Sequence, residues 1–438
     1  MAMNTTPGNH GPTAVYLGKN DNGTLTYVSL DENFQSIHLY TSLHSQAIKC
    51  QIRINDPVDL LGQLEPTGEE LLIVAWSTPN FHTNRPEHKE RLICFRVTKI
   101  ENVTVDKNNL KRQSYTIHGL HELAYIQSFG SIDNHFSGTI HDAAKKFFEK
   151  GKDRASEIDS QILYPKKCNL TVDEVDGVVD FIIPSETPFD AMTYLQGWAS
   201  DKSKNQTNIF LFYQDLEGYN FRNLDSLIMH NYPPDFNHNR YRYDPIINRQ
   251  ALANPLKSDE ILQIQQVSRF NAYKHAKDGN LHTSVAKVDY LTKTVERESM
   301  KFDQNDGIER MQTLYPVDIE YLNKFAKDSN STDWIYVNSG LPNYIDNSHS
   351  HLSKKVYGTV FFNNIVQILI PGNSSLDIGQ TLGIRISRPS LPTNTGEESK
   401  LDPDIDGNYL IKDIVHSFTP QSYYQLITLC RTGKEKYA

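Results

Sequence analysis

The sequence predicts an α+β protein in which two antiparallel β-rich segments bracket a mixed α/β middle. Three observations carry this. Residues to about 118, and again from about 353, alternate apolar and polar side chains with period two. Between them, capped helical patterns interrupt short strands. Tyr occurs 23 times, ahead of Phe at 19, and Tyr suits strands and contacts that are apolar at one end and wet at the other.

In the first segment Ile48, Cys50, Ile52 and Ile54 alternate with Lys49, Gln51 and Arg53. That pattern gives a strand with one buried face, and Asn55-Asp56-Pro57 stops it. Leu71 to Trp76 is a continuous apolar run, as in a strand buried on both faces. Ile93, Phe95 and Val97 alternate, Lys107-Asn108-Asn109 reads as a turn, and Tyr115 and Ile117 resume the pattern. Asp21-Asn22-Gly23 marks a hairpin turn. Short strands at this spacing predict a sandwich or barrel.

The character changes after Gly119. Thr139 fits an N-cap, with Asp142 three residues on at the positive end of the helix dipole. Thr187 repeats the device, with Pro188 at the first helical position. Met192, Leu195 and Trp198 then predict a core stripe. Val178 to Ile183 reads as a strand ended by Pro184, and Ile209 to Phe212 as a short buried strand. Asp215-Leu216-Glu217-Gly218 reads as a turn.

From Tyr232 to about Asn254 the chain is irregular, and Glu260 to Val267 fits helix or strand. Val285 to Val295 alternates, Ile319 to Phe325 resembles a short helix, and Asn338 to Leu352 reads as a polar loop. In the last segment Val356, Thr359 to Phe362, and Val366, Ile368 and Ile370 are strand-like. Pro371-Gly372-Asn373 is a turn, Ile384 and Ile386 flank Arg385, and Ser390 to Asp406 is a long polar loop. Tyr409 to Val415 and Tyr423 to Cys430 form a strand pair.

Composition excludes several classes. Hydrophobic residues at 38% and charged residues at 22% suit a globular chain with a polar surface. Apolar runs fall far short of the ~20 residues of a membrane span. The first residues carry no basic and apolar signal-peptide regions, so no secretory leader is expected. A net charge of −9 leaves no basic footprint for nucleic acid. Cys50, Cys94, Cys168 and Cys430 lie far apart, without zinc spacing, and are expected as buried thiols.

No phosphate-cradling glycine loop and no GxSxG elbow occur. His121-Glu122-Leu123-Ala124-Tyr125 falls one ligand short of HExxH. His349-Ser350-His351 offers two imidazoles without a carboxylate or thiol at ligand spacing. Asp402, Asp404 and Asp406 before Gly407, with Asp413 at the twelfth position, follow a calcium-loop spacing. The same residues also make a solvated acidic hairpin loop. No catalytic constellation stands out.

Two stretches belong together. One runs Phe181-Ile182-Ile183-Pro184, then Thr187 to Leu195, then Phe210 to Tyr219. The other runs Leu376 to Gln380, then Ile384 and Ile386, Tyr409 to His416, and Tyr424 to Leu429. Together they resemble the baseplate central hub proteins of contractile-tailed bacteriophages. That fold family includes the hub half of type VI secretion spike proteins.

The resemblance implies two tail-tube-like antiparallel β-barrel domains with mixed α/β domains inserted between them. The expected bounds are 1–118 for the first barrel, 119–231 for the mixed domain with two capped helices, 232–352 for an irregular insertion and linker, and 353–438 for the second barrel, which strands from 205–230 would complete. It implies a homotrimer of pseudo-sixfold symmetry that joins a trimeric central spike to a hexameric tail tube. Implied neighbours are the spike, tail-tube or tube-initiator proteins, the tape measure protein and the baseplate wedge. DNA would pass through the channel without specific binding. The implied place is the virion tail baseplate, assembled in the host cytoplasm. No catalytic residue, cofactor or metal is implied. The alternatives are a tail-associated cell-wall hydrolase and a glycan-binding β module that uses calcium at Asp402, Asp404, Asp406 and Asp413.

Overall fold

The computed structural model describes residues 8, 10–21, 24–68, 70–78, 90–105, 112–158, 168–175, 178–200, 208–230, 240–243, 259–268, 282–301, 331–337, 348–386 and 405–433. The N-terminal part supplies β1 (Ala14–Asp21), β2 (Thr24–Ser29), β3 (Phe34–Ser42), β4 (Lys49–Asp56), α1 (Leu60–Leu64), β5 (Leu71–Trp76), β6 (Arg91–Val105) and β7 (Gln113–His121). The middle supplies α2 (Glu122–Gln127), β8 (Ile132–Thr139), α3 (Ile140–Ile158), β9 (Leu170–Val172), β10 (Val178–Glu186), α4 (Pro188–Trp198), β11 (Phe210–Gln214), β12 (Tyr219–Asn223) and α5 (Leu224–His230). Then follow β13 (Arg240–Tyr243), β14 (Gln263–Ser268), β15 (His282–Asp289), β16 (Thr294–Lys301), β17 (Ser331–Val337), α6 (Ser348–Phe361), β18 (Ile365–Pro371), β19 (Thr381–Ile386), β20 (Gly407–Thr419) and β21 (Ser422–Gly433).

The two β-rich ends form one 13-stranded sheet. Its order is β14-β18-β21-β20-β3-β4-β7-β6-β5-β1-β2, with β19 added to β20 and β13 to β19. The junction is β3 on β20, from Ser42 opposite Asp413 to Ile37 opposite Phe418. The first residues of β20 pair with β19, so this one strand serves both ends of the chain.

Chain length forces the sheet to curl. Ser29 ends β2 and Phe34 opens β3. Five residue steps reach at most about 18 Å. Six strand spacings in a flat sheet would separate β2 from β3 by about 29 Å. The N-terminal strands therefore wrap round their own core, which holds Ile37, Ile52, Trp76 and Phe95. Phe418 and Tyr423, from the tip of the β20–β21 hairpin, enter that same core. A second core forms under β18, β20 and β21, with Val356 and Phe361 of α6. Closure of either lobe into a barrel is not seen among the described residues.

The third core belongs to the middle, where α2, α3 and α4 pack on β12. β11 is buried along its whole length. It turns Phe210 and Phe212 into the middle core and Leu211 and Tyr213 into the C-terminal core. β11 and β12 do not complete the large sheet as expected; they form a three-stranded sheet with β9. A further small sheet has the order β16-β15-β17.

The predicted caps are present. Thr139 Oγ1 accepts from the Asp142 N–H at 3.1 Å, and Thr187 Oγ1 accepts from the Asp190 N–H at 3.1 Å. The β4 alternation holds, with Cys50, Ile52 and Ile54 buried. β1 and β2 pair up to Asp21 opposite Thr24, as a hairpin requires.

Four expectations are corrected. The end of the predicted loop, from Ser348 to Leu352, and the predicted strand Val356 to Phe362 fall instead on α6, which runs from Ser348 to Phe361; residues 338–347 lie outside the described residues. Burial of Leu352, Val356 and Phe361 on its inner side overrides the weak helix propensity of Thr359-Val360. Trp198 leaves the core stripe and is 38% exposed, while Met192 and Leu195 are buried. Steps of three residues turn 300°, so a 192-195-198 series walks about 120° off the buried side. Pro184 does not end β10; it sits where the pairing register with β8 shifts, as a proline without a ladder donor requires. Residues 263–268, where the sequence left helix and strand open, are extended. The expected bounds at 118 and 352 fall inside β7 and α6. The turn at 107–109 and the helix at 319–325 lie outside the described residues.

Candidate assembly surfaces

A buried polar node ties the three parts together. Trp76 ends β5 and packs on His416 and Phe418 of β20, with ring centroids 5.8 and 5.5 Å apart. His416 Nδ1 lies 2.8 Å from the Tyr423 hydroxyl. Gln425 Nε2 donates to the Asn373 carbonyl at 3.1 Å, and its Oε1 accepts from the Asn373 N–H at 3.0 Å. Arg91 Nε donates to the Ser374 carbonyl at 2.9 Å. The Leu216 N–H donates to Asp377 Oδ2 at 2.9 Å, which joins the 215–218 turn of the middle to the C-terminal loop. Burial lifts the Asp377 carboxyl well above the usual carboxylate range, and neighbouring Asp215 adds to the lift. Burial also holds His416 neutral, lowered to about 3, with Arg91 adding to the effect.

A second buried set explains the HExxH-like stretch. His121 Nδ1 lies 3.0 Å from the Tyr219 hydroxyl, and Glu122 pairs with Arg96 at 2.9 Å. Both are committed to packing between β6, β12 and α2. Burial lowers His121 to about 3. All four cysteines are buried and free, and burial pushes the Cys94, Cys168 and Cys430 thiols up to about 12.

The outer face of the large sheet is polar around β3, β4 and β7, with Tyr16, Tyr27 and Leu92 exposed on its flanking strands. Where β3, β4, β7 and β6 run side by side, Ser36, His38, Gln51, Arg53, Thr104 and Thr116 line a groove of about 420 Å³. Tyr40 donates its hydroxyl proton to Gln51 Oε1 at 3.1 Å. Glu101 lies 2.8 Å from His118 Nε2 and also meets Lys99; these hydrogen bonds hold its carboxyl below the usual range. Charges of both signs alternate with hydroxyls and amides, so the face carries no strong field of one sign.

The edges of this sheet differ. Among the described residues β2 (Thr-Leu-Thr-Tyr-Val-Ser) and β14 (Gln-Ile-Gln-Gln-Val-Ser) end the ladder, and they carry no charge and no proline. β13 (Arg-Tyr-Arg-Tyr) carries Arg240 and Arg242. Charges protect an edge against strand addition, and their absence invites it.

The residues singled out for metal binding are described only in part. Asp402 and Asp404 lie outside the described residues. Asp406 immediately precedes β20, and Asp413 sits within it. Seven residues along a strand put them about 20 Å apart, whereas one calcium ion needs both within ~2.6 Å. Asp413 therefore does not share an ion with Asp406: it accepts from Ser42 Oγ at 2.5 Å, across the β3–β20 junction, and from Lys412 Nζ at 3.1 Å. His351 belongs to α6 and meets Asp333 of β17 at 3.0 Å, beside Lys355. Among the described residues no group of three His, Cys, Asp or Glu side chains could hold a metal ion. The residues that matter for joining the lobes, Arg91, Asp377 and His416, gave no sequence signal. They are isolated polar positions within strands and turns.

The fold is that of phage tail proteins. The 43 kDa tail protein of prophage MuSo2 from Shewanella oneidensis aligns over 96% of this chain and 98% of its own, at TM-score 0.51 and 11% identity. A tail protein from Neisseria meningitidis MC58 aligns over 95% of this chain and 96% of its own, at TM-score 0.52 and 10% identity. No family model matches the sequence, and no curated protein matches it. Among the described residues no helix is long and apolar enough to cross a membrane.

Proposed function

We propose that this chain is the structural hub of a phage tail baseplate. The observation that carries the reading is the tail-protein fold along nearly the whole chain, with the N- and C-terminal lobes fused side by side through β3 and β20. Two β lobes per chain, taken three times, present six similar units to a hexameric tail tube and three chains to a trimeric spike. Copies join head to tail: the bare edge β2 of one pairs with the bare edge β14 of the next. A repeated head-to-tail contact closes into a ring when its rotation allows. The polar outer face of the large sheet lines the channel. It carries no basic stripe, so DNA slides past without exchanging its counterions for protein charge. The mechanism is geometric, with no chemical step. Spike, tube or tube-initiator proteins, tape measure protein and wedge are the partners, and the virion baseplate, assembled in the host cytoplasm, is the place.

Light scattering tests this, on the purified chain alone and mixed with the spike protein of the same tail. A mass near three times 50.1 kDa, or an equimolar three-to-three complex, is expected. A monomer that also ignores the spike overturns the reading in favour of a wall hydrolase or glycan-binding module.

A further inference from the structure

A groove spans four adjacent strands of the large sheet on its outer face. It runs from β3 through β4 and β7 to β6, with Ser36 opposite Arg53 and Arg53 opposite Thr116. Three strand spacings make it about 14 Å long, and its volume is about 420 Å³. At its β6 end the register slips between Glu101 and Thr104, and the extra residue Asn102, at φ 57°, lines the groove. A bulge of this kind re-aims a side chain. What sets the groove apart is unspent hydrogen-bonding capacity. Among the described residues the Arg53 guanidinium has no hydrogen bond and no ion pair, and the side chains of Ser36, His38 and Asn102 have no hydrogen bond. Gln51 uses its Oε1 on the Tyr40 hydroxyl, which leaves its side-chain N–H groups to a ligand. No carboxylate lines the groove among the described residues. Glu101, across Thr116 from Arg53, is engaged by Lys99 and His118.

We infer that the groove binds an extended acidic segment of a partner protein, with one carboxylate of that segment on Arg53. The inference goes beyond the hub reading and does not depend on how copies of the chain associate. Charge selects a carboxylate. The lining offers a free cation among donors, and a planar guanidinium takes a carboxylate through two parallel hydrogen bonds. Length selects a segment over a small ion, because about 14 Å matches four residues of extended chain. The remaining groups select main chain. The amides of Gln51 and Asn102 carry donors and acceptors together. Burial holds His38 below its ordinary value, so its neutral ring offers one of each. Peptide N–H and C=O groups match such mixed partners. A phosphodiester only accepts, and one guanidinium on a chain of net charge −9 displaces too few counterions to hold a nucleic acid.

Saturation-transfer NMR on the full chain tests this with two capped tetrapeptides, acetyl-Gly-Glu-Gly-Gly-amide and its Gln counterpart. One ion pair and a few main-chain hydrogen bonds predict a Kd of about 1 mM for the Glu peptide. Binding about 10-fold weaker is expected for the Gln peptide, and for the Glu peptide on Arg53→Gln, as when one charge-assisted hydrogen-bonded pair is lost. Arg53 is exposed, so the variant folds, and far-UV circular dichroism verifies it. Lys145→Gln removes the same charge from an exposed position of α3 and is expected to leave binding unchanged. Equal binding of the two peptides, wild-type affinity in Arg53→Gln, or an equal loss in Lys145→Gln would overturn the inference. So would the absence of transfer to the Glu peptide up to ~10 mM. A DNA duplex that binds in an Arg53-dependent, salt-sensitive manner while the peptide does not would assign the groove to nucleic acid and overturn the occupant. None of these outcomes moves the mass measurement that decides the hub reading.

Discussion

The large sheet and the β15–β17 sheet solve opposite problems with the same alternation. In the large sheet alternate residues enter cores shared between strands that lie far apart in the chain, and the outward set mixes polar side chains with Tyr16, Tyr27, Tyr40 and Leu92. In the small sheet one side sets Asp333 and Glu298 against α6 beside fully buried Val285, and the other carries Trp334 and Tyr336, each more than half exposed. The first arrangement buries its core within one chain and leaves the edges β2 and β14 open among the described residues. The second leaves Trp334, Tyr336 and Tyr290 more than half exposed. Alternation alone therefore reports that a strand has two faces, not which face is inside.

The largest effect that would break this comparison lies at the lobe junction. Trp76→Ala should cost about 3–5 kcal/mol in urea unfolding, because Trp76 is fully buried against His416 and Phe418. A cost below 1 kcal/mol would mean that the lobes do not share this core. Next comes Gly372→Ala, whose added Cβ would stand 2.0 Å from the buried Tyr423 ring. Overpacking of about 1–3 kcal/mol is expected, read as a lowered thermal midpoint.

The junction also predicts a pH dependence. His416 is held at about 3 in the folded chain, against about 6.5 unfolded. The unfolded state takes up the proton first, so the contribution of His416 is complete above pH 6.5 and is lost as pH falls towards 3. The stability difference between wild type and His416→Gln should thus be constant above pH 7 and move against wild type between pH 6.5 and 4.5. A difference that is flat over this range would show His416 to be solvated. The smallest effect sharpens the contrast. Trp334→Ala should change the stability of the isolated chain by no more than about 0.5 kcal/mol, although it removes the same side chain as Trp76→Ala.

Much of the fold was legible because it is local. The β4 alternation, the caps at Thr139 and Thr187, and the buried run Leu71–Trp76 each report through neighbours within four residues. The β3–β20 junction does not, since Ser42 and Asp413 are 371 residues apart and nothing in either strand names its partner. α6 was misread because its polar start resembles a loop and Thr359-Val360 favour strands; only packing settles it. Of the acidic spacing from Asp402 to Asp413, the extended β20 carries Asp413 away from Asp406. The aromatic face was readable in principle, because Thr332, Trp334 and Tyr336 alternate with Asp333 and Ile335. Its outward direction was not.

The central claim is that the bare edges β2 and β14 become inter-chain pairs. Amide hydrogen exchange, compared between the dilute chain and its complex with the spike, tests it strand by strand. The account predicts strong slowing in Thr24–Ser29 and Gln263–Ser268, with no change in Arg240–Tyr243. Unchanged exchange in β2 and β14 within a fully assembled complex would contradict it.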